Sequence, residues 1–444
     1  MTKKKPRRLS SSQMIIFGFA ALVFAGAVLL ALPVSSASGQ WTSFLDTLFT
    51  ATSAVCVTGL ITVDTATTWS LFGKIILLIL IQIGGLGIVM AVTTVSLYSG
   101  RKIGLMQRST MADSISVDHI GGVLRMTKMI LRVTAAIEGI GALLLMFAFI
   151  PEFGVIKGTG YALFHSVSAF CNAGFDLMGV KEPFSSLTSY TGNALVNIVV
   201  MLLIITGGIS FMTWQDIQKH KTKIKMYSMQ SKLILTVSAI LIVIPAVLFF
   251  FMEFSEMPLK ERILSSLFQA VTARTAGFNT ADLSAMSDSG KLLMCFLMLI
   301  GGSPGSTAGG LKTTTIAVAL LGTVAVMRNK DEVHCFGRAI DNSILIRAYA
   351  IVIIYFTVGL GAGALIARIE NVPLTTALFE SCSAIGTVGL SLGLTPSLHV
   401  VTKLIVILLM FAGRIGTLTL ILAVIGTPKN AAEGKLVKEN IVVG

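Results

Sequence analysis

Long apolar blocks alternate along this chain with short polar segments. Eight blocks are long enough to cross a bilayer: 14–32, 72–97, 130–150, 193–214, 232–253, 291–323, 344–367 and 402–425. A crossing needs about 20 apolar residues, because the hydrocarbon core is about 30 Å thick. After the first, third, fifth and seventh blocks comes a shorter helical pattern, at 41–54, 161–169, 260–273 and 372–384. At about 1.5 Å per residue, a helix of that length covers only about half the bilayer. The predicted unit is therefore span, half-helix, extended loop, span, repeated four times, with each half-helix and loop re-entering the membrane.

The loops carry a second, independent repeat. Ala54-Val55-Cys56-Val57-Thr58-Gly59-Leu60 returns in degraded form at Ala169-Phe170-Cys171-Asn172-Ala173-Gly174-Phe175. It returns again at Ala273-Arg274-Thr275-Ala276-Gly277-Phe278 and at Ala384-Ile385-Gly386-Thr387-Val388-Gly389-Leu390. Each copy follows the same lead-in: Leu48-Phe49, Leu163-Phe164, Leu267-Phe268 and Leu378-Phe379. Glycines 115, 103 and 112 residues apart are too widely spaced for a short solenoid unit, so the reading is four homologous modules. Their expected bounds are 14–100, 101–215, 216–325 and 326–427, between a basic N-terminus (1–13) and a C-terminal tail (428–444).

Composition agrees with the pattern. Hydrophobic residues make up 54% of the 444 and charged residues 12%, where a soluble domain carries about 25% charged. The fold class expected is all-α and integral to the membrane, with eight transmembrane helices around one pore. The net charge of +13 raises nucleic acid as a partner, but its placement excludes that reading. Of 34 Lys and Arg, 23 fall in five clusters, at the N-terminus, 101–132, 219–232, 328–347 and from 429 onward. Clusters between pairs of spans are the positive-inside pattern, which puts both termini in the cytoplasm and makes anionic lipid headgroups the basic partner. The N-terminus resembles a signal peptide, yet its 19-residue apolar run exceeds a signal core of about 7–15 and fills a place the repeat requires. The five cysteines and five histidines show no metal-ligand spacing, and no nucleophile–base or paired-aspartate set appears in the spans, so an enzyme is not expected.

All four loops then enter from one face. Irregular backbone at membrane depth is tolerated only when it is buried in protein or lines water. Four such loops satisfy one another around a shared axis, giving pseudo-fourfold symmetry. The residues before each glycine are small or β-branched and include no carboxylate: Val57-Thr58, Asn172-Ala173, Thr275-Ala276 and Thr387-Val388. What such loops offer is backbone carbonyl oxygen, the group that replaces the water shell of potassium in channel filters. Half-helices pointing their negative dipole ends at the same place favour a cation. Thr387-Val388-Gly389 is nearest to the channel signature, and the other three match it in part.

On these motifs the chain resembles the Trk/Ktr/HKT superfamily of potassium transporters over about residues 14–425. Eight spans without additional N-terminal helices are most similar to the membrane subunit of the bacterial Ktr system. The resemblance implies potassium uptake across a bacterial plasma membrane, with sodium as a candidate activating ion. It also implies a homodimer with one pore per subunit and a cytoplasmic ring of nucleotide-binding, RCK-type regulatory subunits. The family's filter glycines match Gly59, Gly174, Gly277 and Gly389. Plant relatives with serine at the first position favour sodium, so Gly59 points to potassium.

The sixth block is interrupted by Gly301-Gly302-Ser303-Pro304-Gly305-Ser306-Thr307-Ala308-Gly309-Gly310, a run no stable helix contains. A phosphate loop is excluded, since the spacing to Lys312 fails by one residue and no strand precedes it. The break lies 24 residues past Gly277 and Arg414 lies 25 past Gly389, hence at nearly one depth. A charge at mid-membrane costs at least about 2.5 kcal/mol and must face a pore or a partner. The expectation is a gate built from the 301–310 loop and Arg414, a barrier role the resemblance also implies for the arginine. Arg274, at the end of the third half-helix, is read as a brace for the filter or a structural charge, Glu138 and Glu380 are expected to pair with neighbours, and Asp64, Asp176 and Asp282 to draw cations to the mouth. The competing readings are a sodium-permeable or sodium-coupled transporter, and a solute transporter that binds its substrate at the broken helix.

Overall fold

The computed structural model describes residues 11–98, 122–330 and 332–416. The N-terminal basic cluster, the 101–121 part of the second cluster, positions 417–425 of the last apolar block and the C-terminal tail lie outside them. The first unit comprises α1 (Ser11–Ala31), α2 (Phe44–Val55), α3 (Leu71–Leu86) and α4 (Ile88–Tyr98). The second comprises α5 (Val123–Phe153), α6 (Val155–Phe170), α7 (Ala194–Gly208) and α8 (Phe211–His220). In the third are α9 (Met229–Met252), α10 (Leu259–Thr272), α11 (Asp288–Leu299) and α12 (Thr313–Met327). A small antiparallel hairpin, β1 (Val333–Cys335) with β2 (Arg338–Ile340), leads to α13 (Asn342–Glu370), α14 (Leu374–Gly386) and α15 (Val400–Ile415).

The outer helices α1, α5, α9 and α13 are long and apolar enough to cross a membrane. They leave large apolar side chains uncovered, among them Phe17, Phe24, Phe147, Phe251 and Ile353. Aqueous solvent would penalise such surfaces, whereas lipid does not. The half-helices α2, α6, α10 and α14 behave oppositely. Their serines and threonines, such as Thr47, Ser53, Ser166, Ser265 and Ser383, are fully buried. Polar groups gathered at the centre of an apolar bundle mark its functional axis.

Packing closes the four units into a ring. Each outer helix lies on the half-helix of its own unit, as α1 on α2 and α13 on α14. Each inner helix also touches the half-helix of the next unit: α3 on α6, α7 on α10, α11 on α14, and α15 back on α2. This cyclic order is the pseudo-fourfold arrangement expected from the repeat.

The inner helices depart from expectation. Blocks 72–97 and 193–214 read as single spans, but the chain bends by 104° between α3 and α4 and by 98° between α7 and α8. Gly87 sits at the first bend with φ 90°, a conformation cheap only for glycine. The third inner helix breaks at 300–312 as expected, and α15 ends at Gly416 with φ 95°. Thus three inner helices are interrupted within the described residues, and the glycine-rich run is the most elaborate of the three breaks.

Candidate ion-coordination site

After each half-helix the chain turns back through three residues. The first is left-handed in every unit, with φ 49° at Val57, 55° at Asn172, 68° at Thr275 and 52° at Thr387. The third is the repeat glycine, with φ 91° at Gly59, 70° at Gly174, 81° at Gly277 and 97° at Gly389. Valine and threonine adopt this region at a cost of about 1–3 kcal/mol each, so the surroundings must hold them there.

Hydrogen bonds show what holds them. The N–H of the middle residue turns back onto the half-helix: Thr58 donates to Ser53 O, Ala173 to Ser168 O and Val388 to Ser383 O, each at 2.8 Å. Ala276 donates to Thr272 O at 3.0 Å. The hydroxyls of the same four residues brace the loops further. Ser53 Oγ accepts from Gly59 N at 3.0 Å and Ser383 Oγ from Gly389 N at 3.1 Å. Ser168 Oγ donates to Phe175 O at 2.7 Å, and Thr272 Oγ1 donates to Phe278 O. Sequence reading missed these braces by one position, because each directly precedes the alanine at which the repeat was taken to begin.

With the amides turned outward, the carbonyls are left for the axis. A methyl group placed on Gly59 would meet Ala173 O at 2.6 Å and Gly174 Cα at 3.0 Å. On Gly174 it would meet Ala276 O at 2.8 Å and Gly277 Cα at 3.0 Å. On Gly277 it would meet Val388 O at 2.4 Å and Gly389 Cα at 3.2 Å, and on Gly389, Thr58 O at 2.1 Å and Gly59 Cα at 3.0 Å. The four glycines thus form a closed ring, with the carbonyl of each preceding residue set against the next glycine. All twelve loop residues singled out from the sequence come together here. Units two and three are also tied side chain to side chain, through Asn172 and Thr275 Oγ1 at 3.3 Å. A ring of uncharged backbone oxygens suits a monovalent cation stripped of water.

A cavity of about 110 Å³ opens onto one side of the ring and touches all four glycines. Of the three aspartates considered, only Asp176 lines it. Burial, with the nearby Asp64 adding to it, pushes the Asp176 carboxyl up to about 7 against the pull of the Met178 N–H. Asp64 instead accepts from Ala66 N, Thr67 N and Phe184 N at 2.9–3.1 Å, strapping units one and two together. Asp282 is taken up by Ser284.

The 301–310 loop closes the opposite side. Methyl groups on Gly309 and Gly310 would strike Thr387 Oγ1 and Gly386 O of unit four, so the loop lies directly beneath the ring. It is bonded to unit two through Ser303 N to Gly208 O (3.0 Å), Thr307 N to Gly207 O (3.1 Å) and Thr307 Oγ1 to Phe170 O (3.0 Å). Arg414 completes the layer, donating to Thr307 O at 2.5 Å and to the Gly84 and Gly85 carbonyls of unit one. All four units therefore meet in this plane. The Lys312 Nζ donates to Ala308 O at 2.8 Å, within the loop itself.

Other charges have structural partners. Arg274 donates to Ser238 Oγ on α9, away from the ring, and Glu138 on α5 accepts from Gln82 Nε2 on α3 at 3.3 Å. All five cysteines are buried free thiols. Among the described residues, no group of three His, Cys, Asp or Glu is placed to hold a metal ion.

The sequence matches the family described as TrkH, cation transport protein, over residues 2–435. It is 39% identical to the potassium/sodium uptake protein NtpJ of Enterococcus hirae over 100% of this chain and 99% of that one. It is 40% identical to the Ktr system potassium uptake protein B of Bacillus subtilis, covering 93% of each. With the Vibrio alginolyticus protein of that same description it shares 36% identity, over 94% of this chain and 92% of the other. The fold matches the crystal structure of the potassium transporter TrkH from Vibrio parahaemolyticus with a TM-score of 0.75, at 16% identity, over 96% of this chain and 87% of that one.

Proposed function

The chain belongs to the TrkH family of cation transport proteins, a multi-pass protein of the bacterial plasma membrane, and on that premise we propose that it takes up potassium through the glycine ring. Four relatives of 33–40% identity carry potassium uptake in their descriptions. The single observation behind the mechanism is the closed sequence Gly59, Gly174, Gly277, Gly389, with a carbonyl held against each. A potassium ion entering from the Asp176 side exchanges its water for those oxygens. The membrane potential draws it inward at about 2.3 kcal/mol per charge per 100 mV.

The 301–310 loop and Arg414 form the gate on this reading. The guanidinium repels a cation leaving the ring, and the loop blocks the passage until its bonds to Gly207, Gly208 and Arg414 are exchanged. The four modules at 14–100, 101–215, 216–325 and 326–427 each contribute one quarter of the pathway. Both termini face the cytoplasm, where an RCK-type ring of nucleotide-binding subunits acts on the gate of a homodimer. A second reading, sodium passing or activating alongside potassium, is favoured by the description of the Enterococcus hirae relative as a potassium/sodium uptake protein.

The test is growth of a potassium-uptake-deficient bacterium on low potassium, with and without Gly59→Ser. Rescue by the unaltered chain, and loss of potassium preference over sodium in the variant, is the expected result. Equal preference in both would remove the ring from the mechanism.

A further inference from the structure

The four lead-ins hide a position at which the modules differ. The residue directly after each Leu-Phe pair is Thr50, His165, Gln269 or Glu380. All four are fully buried within the half-helices. Their bonds diverge. Thr50 Oγ1 donates to Asp46 O, inside its own helix, and neither amide atom of Gln269 has a partner. His165 and Glu380 instead reach past the glycine to the strand that leaves the ring. His165 Nε2 accepts from Leu177 N at 3.3 Å, three residues beyond Gly174, while Nδ1 bonds Tyr161 O at 2.8 Å. These two bonds define the neutral ring with its proton on Nδ1, since Tyr161 O only accepts and Leu177 N only donates. The Glu380 Oε1 accepts from the Thr395 hydroxyl, six residues beyond Gly389, and Ser391 is within the carboxylate's reach. Thr395 and Ser391 both line the mouth cavity.

Gly174 and Gly389 lie diagonally across the ring. Two opposite loops are therefore tied to their half-helices three and six residues beyond the glycine by this side chain; Thr50 and Gln269 make no such tie, and loop three is held past its glycine at Phe278 by Thr272. A carbonyl ring discriminates between ions by the number, field and spacing of its oxygens, so a tether on the exit strand acts on that spacing. We propose that Glu380, with His165 as its diagonal counterpart, is a positioning residue for ion selectivity. It touches no ion; it fixes the outer end of loop four through Thr395. The inference rests on the reading of the glycine ring as the ion site.

The test is rubidium and sodium uptake into proteoliposomes by Glu380→Ala, Thr395→Val, their combination, and Glu380→Gln, with Gly59→Ser as the reference for the ring. Glu380→Ala and Thr395→Val should each lower the rubidium-to-sodium uptake ratio about tenfold, and the double variant should lower it no further. Glu380→Gln retains an acceptor for the Thr395 hydroxyl and should keep the ratio within about threefold of the parent. His165→Phe, which keeps an aromatic ring but removes the acceptor, should shift the ratio in the same direction. If Glu380→Ala fails to fold, Thr395→Val decides alone. An unchanged ratio in these variants while Gly59→Ser lowers it overturns the positioning role, as does strict additivity in the double variant. An unchanged ratio in Gly59→Ser as well means that the ring itself has been misassigned, and both conclusions fall.

Discussion

The glycine ring and the layer beneath it are built on opposite principles. In the ring, four different sequences converge on one backbone. Val57, Asn172, Thr275 and Thr387 share a left-handed φ, and Ser53, Ser168, Thr272 and Ser383 share a bracing role. In the layer below, the corresponding segments have diverged. One is a bend at Gly87, one is a turn at Ile209, one is a ten-residue loop, and the fourth inner helix brings Arg414 to the same level. The difference teaches how coordination and closure divide the symmetry. An ion on an axis needs equal oxygens from every side, so any departure in one unit harms all four. A closure needs only one element able to cross the axis, and a second to hold it.

The comparison is most easily broken at the ring. Gly389→Ala should reduce rubidium uptake by at least about a hundredfold, because the new methyl meets Thr58 O at 2.1 Å in a backbone conformation alanine resists. Uptake within a few-fold of the parent would show that the ring is not the narrow point. The closure layer should respond in the opposite direction. Arg414→Ala removes the bonds to Thr307, Gly84 and Gly85 and a positive charge beneath the ring, and should raise flux about tenfold in liposomes that hold this chain alone. Unchanged flux would remove Arg414 from the gate.

The braces sharpen the claim of fourfold equivalence. Ser53→Ala and Ser383→Ala each remove one acceptor from a ring amide, worth about 1 kcal/mol, so each should weaken potassium preference by a similar factor of about five. A large effect in one and none in the other would show that the units are not equivalent. The smallest effect is expected at the mouth. The Asp176 carboxyl, pushed up to about 7, is charged above that pH and neutral below it. Raising the external pH from about 6 to 8 should therefore increase uptake at low potassium by about two- to threefold, and Asp176→Asn should flatten the profile. The same slope in the variant would assign the pH response elsewhere.

How much was legible beforehand follows from the range of each interaction. The twelve loop residues could be read because a glycine at a left-handed position leaves a local mark, repeated four times at matching distance from Leu-Phe. The bends at Gly87 and Ile209 could not. A glycine-bearing apolar helix reads as continuous unless something outside it favours a bend, and with 42 glycines in the chain no single one stands out. Arg414 was recognisable as a costly charge, but its partners Thr307, Gly84 and Gly85 were not, since backbone carbonyls carry no side-chain signature. Asp64, Asp176 and Asp282 looked alike in sequence and separated only once the loops were placed, with Asp176 alone facing the cavity.

By itself, then, the sequence determined the membrane class, the count of four modules and the positions of the ring residues. Hydrophobic length and backbone permissiveness are properties of short segments, and they survive without knowledge of the fold. The tertiary structure alone decided the cyclic order of the units, which oxygens face one another, how the 301–310 loop crosses beneath Thr387, and that Glu380 ties Thr395 to its half-helix. Those depend on contacts between residues tens to hundreds of positions apart, where closeness in space is set by packing and leaves no trace along the chain.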